Sequence, residues 1–519
     1  HAAGEAAVTF PWLTTLIALP ALGALLTAVV PRGLESTAKK LALGVALLTA
    51  AIAVVAGVEF AINGAPLQFE EQYSWIEAFG VYWALGADGI SITLIVLTAV
   101  VTPLVVMAMW REAEPERRDP KPFFAMLLLL EAMVIGAFAA KDVLLFYILF
   151  EAMLVPMYFL IGMYGGPQRR YAAMKFLLYN LFGGLIMLAA VIGLYVQSVQ
   201  AGEGTFLLAE LVALEIPVEE QRWLFLGFML AFAIKAPLWP FHTWLPDAAA
   251  EATPSNAAYL SGVVDKVGTF AMIALALPLF PQAAAEFAPY IVALAVVSIL
   301  YGALLALGQT DIKRLIAYTS ISHFGFIVLG IFALTSQAGT GATLYMVNHG
   351  LTTVALFIVA GFLIARRGSR LVADYGGVQK PAPVLSGSML FFALAGLALP
   401  GLATFVSEFL VLLGTFSRYR VAAVLATVGI VLAALYMLLL YQRTMTGPVR
   451  IETANFPDLR RRELAIVAPL AALIIAIGVV PKPLTDVIEE GVQPVLEAVD
   501  PEPVTSIFPA DQAAEGSDQ

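Results

Sequence analysis

Long apolar runs constrain this chain more than any other feature of its sequence. Of its 519 residues, 61% are hydrophobic and only 13% are charged, which is far more apolar material than a water-soluble domain needs for its core. About 20 consecutive apolar residues are enough to cross the hydrocarbon layer of a bilayer as a helix. The sequence therefore predicts a polytopic, all-α membrane protein.

Fourteen such runs follow one another along the chain. Two of them are predicted to be broken: the seventh at Pro237 and Pro240, and the twelfth at Pro400. Proline lacks a backbone N–H and frees the carbonyl four residues earlier, so a membrane helix tolerates it only where protein or water satisfies that carbonyl. The runs lie near residues 9–30, 38–62, 88–110, 121–139, 141–164, 171–199, 221–250, 256–278, 286–308, 311–334, 340–366, 384–417, 420–443 and 463–482.

The two broken runs are five apart, which is the pattern that an inverted repeat of five helices produces. No clear internal sequence identity accompanies the repeat, so it is inferred from hydropathy and the breaks alone. The expected organisation is helices 1–3 in residues 1–110, a first repeat of helices 4–8 in 121–278, a second repeat of helices 9–13 in 286–443, helix 14 in 463–482, and a surface amphipathic segment with an acidic tail in 483–519, disordered beyond Asp500.

Basic residues are distributed unequally between the two sets of connecting loops. The loops after odd-numbered runs carry 20 of the 28 lysines and arginines, whereas the loops on the other side carry five. Because cytoplasmic loops accumulate lysine and arginine, the odd-numbered loops are expected in the cytoplasm and both termini outside.

The sequence contains no cysteine. Thiolate-bound zinc, cysteine-ligated iron–sulfur clusters and disulfides are therefore excluded from this chain. Four histidines are present, but no other haem motif accompanies them, so a haem is not expected either. We expect neither a metal nor a bound cofactor.

Ionisable side chains inside apolar runs are the candidates for function, because charge at that depth is costly and usually marks an ion or proton path. Lys235 precedes the seventh break, Lys266 lies in the eighth run, Glu151 lies in the middle of the fifth, and Glu408 follows the twelfth break. The alternatives are a buried Glu151–Lys235 pair that only fixes packing, snorkelling lysines, and a Glu408 that is interfacial or serves only in packing.

His323 and His349 lie in successive runs, where a histidine can relay a proton through either ring nitrogen. A single such histidine is more often a hydrogen-bonded core residue, but two in adjacent runs, with polar residues such as Ser320 and Asn348 nearby, favour a hydrated relay. Glu131 and His242 are secondary candidates: Glu131 either communicates with Glu151 or pairs locally, and His242 accompanies the seventh break. Asp265 adjoins Lys266 but is expected to face about 100° away from it on a helix.

Six motifs in this order resemble the antiporter-like subunits of respiratory complex I, which are related to the multi-subunit sodium/proton antiporters. They are LFEAMLVPMYFLIGMYGG, AIKAPLWPFHTWLPDA, GVVDKVG, DIKRLIAYTSISHFGF, NHGL and LPGLATFVSEF, and the likeness covers about residues 85–450. Glu408 stands where the sister chains usually carry lysine, so the resemblance is to the M type, the equivalent of mitochondrial subunit 4. One departure is AAEATPS, where the family often has AHVEAPT.

The resemblance implies a proton-translocating subunit of NADH:quinone oxidoreductase in a bacterial inner membrane, with no redox centre of its own. Glu151 would be the charge partner of Lys235, Lys266 the central relay, His323 and His349 connecting groups, and Glu408 the group nearest the exit. The implied partners are other membrane subunits, sister antiporter-like chains and lipids, but no nucleic acid. NADH, FMN, iron–sulfur clusters and quinone would act elsewhere in the complex.

Two other functions stay open on the sequence. The same fold serves as a subunit of secondary cation/proton antiporters, and a bundle of spans with inert ion pairs could serve as a scaffold.

Overall fold

The computed structural model describes residues 10–114 and 118–499 and is built almost entirely of helices. The expected disordered tail beyond Asp500 lies outside the described residues. The N-terminal part contains four helices and one hairpin. They are α1 (Trp12–Ala28), α2 (Glu35–Asn63), α3 (Gly89–Ala108) and α4 (Pro120–Ala139).

The hairpin was not predicted from the sequence, because only helices were expected in residues 1–110. Strand β1 (Gln68–Ile76) pairs antiparallel with β2 (Val81–Ala87). Aromatic and β-branched residues favour strands, and the chain turns through Gly80, whose φ of 63° suits glycine. The hairpin is fixed to the start of α1, since the carboxylate of Glu71 accepts a hydrogen bond from the backbone N–H of Leu13 at 2.9 Å.

The middle of the chain holds the first broken span and two π-helical turns, at Leu260–Val264 and Met272–Ala276. Its helices are α5 (Val143–Ala152), α6 (Leu154–Tyr164), α7 (Arg169–Ala201), α8 (Leu208–Val212), α9 (Val218–Lys235), α10 (Trp244–Glu251), α11 (Pro254–Tyr259), α12 (Lys266–Ala271) and α13 (Leu277–Leu279).

The last part holds the second broken span. Its helices are α14 (Pro281–Leu307), α15 (Ile312–Phe332), α16 (Ser336–Arg367), α17 (Pro383–Gly396), α18 (Ala403–Arg418), α19 (Arg420–Met445), α20 (Arg461–Val479) and α21 (Lys482–Val499).

Eleven helical segments of the described chain are long and apolar enough to cross a membrane. The other three predicted spans correspond to α1, which has 17 residues, and to the broken pairs α9–α10 and α17–α18. The polytopic all-α class is therefore confirmed, whereas the count of fourteen spans and the inverted repeat stay predictions.

The burial of the spans separates central helices from peripheral ones. The most apolar window is 94% buried in Pro254–Leu279 and in Ile312–Phe332, but only 33% in Glu35–Asn63 and 28% in Arg461–Val479. The central helices carry Lys266, His323 and His349, so these polar residues lie where protein rather than lipid surrounds them.

The surface amphipathic segment is present as α21. Its apolar stripe, Ile488, Val492 and Leu496, is buried against the bundle, as the spacing predicts. The approach is closest at the start of α3, where a Cβ added to Gly89 would lie 1.9 Å from the carbonyl oxygen of Val487. Glycine therefore permits α21 to dock there.

We predict that Gly89→Ala lowers the free energy of unfolding by about 1–3 kcal/mol, the usual cost of overpacking a tight contact. Gly387→Ala is the matched control, because a Cβ at that position meets nothing within 4 Å. Thermal denaturation of the detergent-purified protein measures both. Equal midpoints for the two variants would show that α21 does not depend on this contact.

Candidate functional site

The break in the seventh span places Lys235 deep inside the protein. Helix α9 ends at Lys235, which is 1% exposed, and the chain continues irregularly to α10. The carbonyl of Ala233, freed by Pro237, accepts from the N–H of Leu238 at 3.0 Å. The carbonyl of Ile234 accepts from the indole Nε1 of Trp244 at 2.9 Å. The protein itself therefore satisfies the carbonyls at the end of α9, as a membrane interior requires.

The Lys235 ammonium group lies against the fifth span. Its Nζ donates to the carbonyl of Phe150 at 3.3 Å and sits 4.3 Å from the centre of the Phe150 ring. Glu151 follows at the end of α5, where an unexpected interruption at Met153 separates α5 from α6. Within the described chain, no carboxylate oxygen lies within 4 Å of Lys235, so this lysine and Glu151 interact across a gap rather than in a contact ion pair.

The space for the Glu151 carboxyl group comes from a glycine on α7. A Cβ added to Gly184 would lie 1.8 Å from Glu151 Oε1. That oxygen is buried and has no hydrogen-bond partner. An unsatisfied buried acceptor is costly, which makes this carboxylate a group that gains from a proton or a water molecule.

Asp265 interacts electrostatically with both lysines. It is fully buried, neither carboxylate oxygen has a partner, and its charge acts on both Lys266 and Lys235. The turn before it is π-helical, with the N–H of Asp265 donating to the carbonyl of Leu260 at 3.0 Å. Neither carboxylate oxygen bonds to Lys266, and the angle between the two side chains stays a prediction.

Lys266 is fully buried and tightly held. Its Nζ donates to the carbonyl of Ser261 at 2.8 Å and lies 2.7 Å from Nδ1 of His349. It also sits 4.6 Å from the centre of the Phe324 ring. π-Helical turns lie on both sides of it, and such turns occur frequently at functional sites.

The two histidines continue the line from Lys266. Nε2 of His349 lies 3.2 Å from Oγ of Ser320, and its ring meets that of His323 edge to face at 5.4 Å between centroids. His323 Nε2 lies 3.4 Å from the hydroxyl of Tyr436. The structure therefore brings the two sequence-predicted histidines together on one side of Lys266.

Glu408 ends this line on α18. The hydroxyl of Tyr345 donates to Glu408 Oε2 at 3.0 Å, and the Tyr345 ring lies 5.8 Å from that of His323. Glu408 is 4% exposed. It is therefore a buried carboxyl group with a defined hydrogen-bond donor.

The second break positions Glu408, and Asn348 fixes that break. The amide nitrogen of Asn348 donates to the carbonyl of Ala403 at 2.8 Å and to Oγ of Ser407 at 3.1 Å. These acceptors lie in the first turns of α18, and Asn348 precedes His349 directly in α16. One side chain thus couples the start of the helix that carries Glu408 to the helix that carries the relay histidine.

The two secondary candidates lie apart from this line. Both oxygens of Glu131 are buried without a partner, and Glu131 lies beside Thr102 and Tyr259 rather than beside Glu151. His242 packs edge-on against Tyr301 at 4.9 Å. The charged side chain whose field it feels is Lys175, which pairs with Asp247 at 2.7 Å.

Sequence reasoning missed the tyrosines that connect His323 with Glu408. Tyr345 and Tyr436 are both buried, and either one resembles an ordinary aromatic core residue. A usable indication exists for Tyr345, which precedes His349 by four residues and so shares its face of α16. No comparable indication exists for Tyr436, because it comes from a distant helix.

The fold and the site together define a class of protein: a polytopic membrane subunit with a line of buried ionisable groups between two broken helices. Comparison with known families agrees. Residues 140–433 match the model of the NADH:quinone oxidoreductase/Mrp antiporter transmembrane family, and the chain belongs to that family.

The similar proteins are subunits named M. NADH-quinone oxidoreductase subunit M of Mycobacterium tuberculosis is 51% identical over 532 aligned positions, covering 95% of this chain and 96% of that protein. The corresponding subunit of Rickettsia typhi is 39% identical and covers 87% of this chain and 90% of its own length. The M-type resemblance seen in the motifs is thereby confirmed.

Two solved structures have the same fold. A chain of respiratory complex I from Thermus thermophilus superposes with a TM-score of 0.85 at 31% identity, covering 94% of this chain and 99% of that one. A chain of the Mrp complex from a Dietzia species gives a TM-score of 0.80 at 20% identity, with 95% and 98% covered. The second likeness concerns the fold alone.

We predict that Asn348→Ala destabilises the protein by about 1–3 kcal/mol, because it leaves the buried carbonyl of Ala403 and the Ser407 hydroxyl without their donor. Asn180→Ala is the control, since its amide only donates to Phe176 on the same helix. Thermal denaturation in detergent compares them. A loss for Asn348→Ala no larger than that for Asn180→Ala would contradict the coupling of α16 to the second break.

Proposed function

We propose that this chain translocates protons across the membrane as a pump subunit of a NADH:quinone oxidoreductase. The observation that carries the proposal is the line of buried groups Lys266, His349, His323, Tyr345 and Glu408. Its members are buried side chains that are joined by hydrogen bonds or ring contacts. Burying so many ionisable groups costs free energy. Their presence therefore favours a role in a proton path over a role in stability.

One proton-transfer step takes place along the Lys266–His349 hydrogen bond, from the lysine to the imidazole. With Lys266 protonated, Nδ1 of His349 can only accept, so Nε2 carries the hydrogen and donates to Ser320. Transfer along the 2.7 Å bond leaves neutral Lys266 and an imidazolium. The imidazolium then passes its proton to His323 through one water molecule, because the ring separation is too large for a direct bond.

Glu408 receives the proton at the end of the line. His323 contacts Tyr345 and Tyr436, and the Tyr345 hydroxyl is bonded to the Glu408 carboxylate. A buried carboxyl group holds a proton more readily than an exposed one, since burial disfavours its charged form. Glu408 is therefore the holding site before release on the far side.

The distance between Glu151 and Lys235 controls whether Lys235 holds or releases its proton. Moving one charge against roughly 150 mV costs about 3.5 kcal/mol. Two opposite unit charges about 5 Å apart at an effective dielectric constant of about 20 attract by roughly 3.3 kcal/mol. Complete separation of this pair therefore changes the proton affinity of Lys235 by about the amount that transport requires, and an opening of a few ångströms supplies part of it. Asp265, whose charge acts on both lysines, couples this change to Lys266.

Cation/proton antiport is the second candidate, because the Mrp fold is shared. The site favours protons: two of its central groups are lysines, whose positive charge repels a metal cation. In the part of the chain that the structure describes, no group of three or more histidine, aspartate or glutamate residues could hold a metal ion.

We infer the location of the chain from its family and its orientation from the distribution of basic residues. We place the chain in the inner membrane of a bacterium, with the loops that carry 20 of the 28 basic residues in the cytoplasm and both termini outside. Its partners are the other membrane subunits of the complex, the sister antiporter-like chains among them, and lipids. NADH, FMN, iron–sulfur clusters and quinone act in the complex, outside this chain.

We predict that Lys235→Ala and Glu151→Ala each lower the rate of NADH-driven proton pumping by about 100-fold or more, the loss typical when a positioned proton-transfer group is removed. Assembly of the complex is expected to persist. Acidification of vesicles that contain the assembled complex, followed with a pH-sensitive dye, measures pumping, and native gel electrophoresis measures assembly.

Lys39→Ala is the matched control, because Lys39 is also buried but bonds to Trp110 and Glu114 away from the line. Pumping near the wild-type rate is expected for it. Assembled complexes that still pump without Lys235 or Glu151 would favour the scaffold function instead. Pumping that requires sodium ions would favour antiport.

A further inference from the structure

A polar cavity of about 550 Å³ lies at the end of the bundle where the odd-numbered loops meet. Its lining comes from the loops that follow the third, fifth, seventh, ninth and eleventh predicted spans and from residues next to them. The charged groups that face it are Glu112, Arg118, Glu251, Lys313 and Arg370. We call it the loop-side cavity.

Among the acids at this cavity, Glu112 is the one with a free oxygen. Oε1 of Glu112 accepts from the N–H of Ser255 at 3.1 Å and from its hydroxyl at 2.7 Å, whereas Oε2 is buried without a partner. Glu251 is engaged at both oxygens, by Arg370 at 3.2 Å and by the N–H of Gln168 at 3.1 Å. Asp311, nearby, pairs with Arg370 at 3.2 Å and caps α15.

Within the part of the chain that the structure describes, the cations around Glu112 do not neutralise it by direct contact. Lys313 donates to the carbonyl of Ala252 and Arg370 to that of Ala250. Burial raises the pKa of Glu112, and the hydrogen bonds from Ser255 oppose this only in part. Glu112 is therefore a carboxylate at the cavity that can bind a proton.

A row of buried polar atoms without partners leads inward from Glu112. Ser255, which bonds Glu112, opens helix α11. The next residue, Asn256, has both side-chain polar atoms buried without a hydrogen-bond partner. Oγ of Ser261 is also buried without a partner. The carbonyl of Ser261 accepts the bond from Lys266 Nζ. Eleven residues at about 1.5 Å each separate Ser255 from Lys266, roughly 16 Å.

A side branch of the same kind lies next to this row. The hydroxyl of Tyr259 meets that of Thr102 at 3.0 Å, and the unpartnered carboxyl group of Glu131 lies beside them. Buried polar atoms in native proteins nearly always have a partner, and water molecules commonly supply it. Several unpartnered atoms in one row mark a place where water enters.

We propose that the loop-side cavity is the cytoplasmic mouth of the proton path, that Glu112 takes up the proton there, and that the proton reaches Lys266 along Ser255, Asn256 and Ser261. The proposal rests on the proposed function and on the orientation given there. It assigns the uptake step to an acid outside the line from Glu151 to Glu408. Glu131 lies beside the path and adds a polar group to its wall.

The first test is Glu112→Gln in the assembled complex, which keeps the side-chain shape and an acceptor for Ser255 but removes the titrating group. Proton pumping is expected to fall about tenfold or more, as for loss of a proton-transfer group. Glu114→Gln is the matched control on the same loop, because the Glu114 side chain is 57% exposed and pairs with Lys39. It should pump within about twofold of wild type.

The second test uses the absence of cysteine from this chain. Leu371→Cys introduces one thiol at the rim of the cavity, where Leu371 is 47% exposed. A charged, membrane-impermeant thiol reagent added on the cytoplasmic side should block pumping in this variant. Leu34→Cys is the control, at 48% exposure on another cytoplasmic loop, and its labelling should leave pumping unchanged.

The outcomes separate this proposal from the proposed function. If Lys235→Ala abolishes pumping while Glu112→Gln and labelled Leu371→Cys pump at full rate, the uptake route proposed here is wrong and the pump function stands. If Lys235→Ala itself pumps, the function is wrong. Labelling of Leu371→Cys only from the outer side would overturn the orientation and the cytoplasmic mouth together.

Discussion

The cost of burying charge away from water governs this structure. A lysine or carboxylate in an apolar interior must find a partner, lose its charge or reach water. Lys266 uses a carbonyl and an imidazole, Lys235 uses a carbonyl and an aromatic face, and Glu408 uses a tyrosine hydroxyl. None of these partners neutralises its group with an opposite charge in direct contact. Gain or loss of one proton by these central groups therefore alters their packing little but changes the electrostatic interactions between them strongly.

The broken helices allow charged side chains to be buried at low structural cost. A continuous helix satisfies its own backbone and offers little to neighbouring groups, whereas an interrupted one exposes carbonyls and N–H groups at depth. Here the exposed groups are bound by the indole of Trp244 at the first break and by Asn348 at the second. Each break is therefore closed by a side chain from the protein, and the polar side chains beside it, Lys235 and Glu408, remain available for other contacts.

The sequence predicted the composition of the site better than its geometry. Lys235, Lys266 and Glu408 could be found because a charged residue inside an apolar run is conspicuous, and the breaks because proline cannot continue a helix. The π-helical turns beside Lys266 were not predicted, because hydropathy does not report such a turn. Tyr436 was missed because an aromatic residue in an apolar run is normally core. The hairpin was missed because apolar and polar residues do not alternate regularly in its strands. The role of each residue in transport remains a prediction that the proposed variants test.

The unsatisfied acids are distributed asymmetrically, and this gives the path a direction. In the described residues, four carboxyl groups have buried oxygens without a partner, and all of them precede Lys266 in the chain: Glu112, Glu131, Glu151 and Asp265. After Lys266, the line formed by His323, His349 and Glu408 consists of groups already joined by hydrogen bonds or ring contacts. Unpartnered acids attract water and protons, whereas a bonded line of neutral groups conducts a proton only when one is delivered to it. Lys266 lies between these two groups of residues. Under the proposed function it would take a proton from the side of the unpartnered acids and pass it to the bonded line. An asymmetry of this kind favours water on one side of the lysine over the other, which is the property that a pump requires and a symmetric pore lacks.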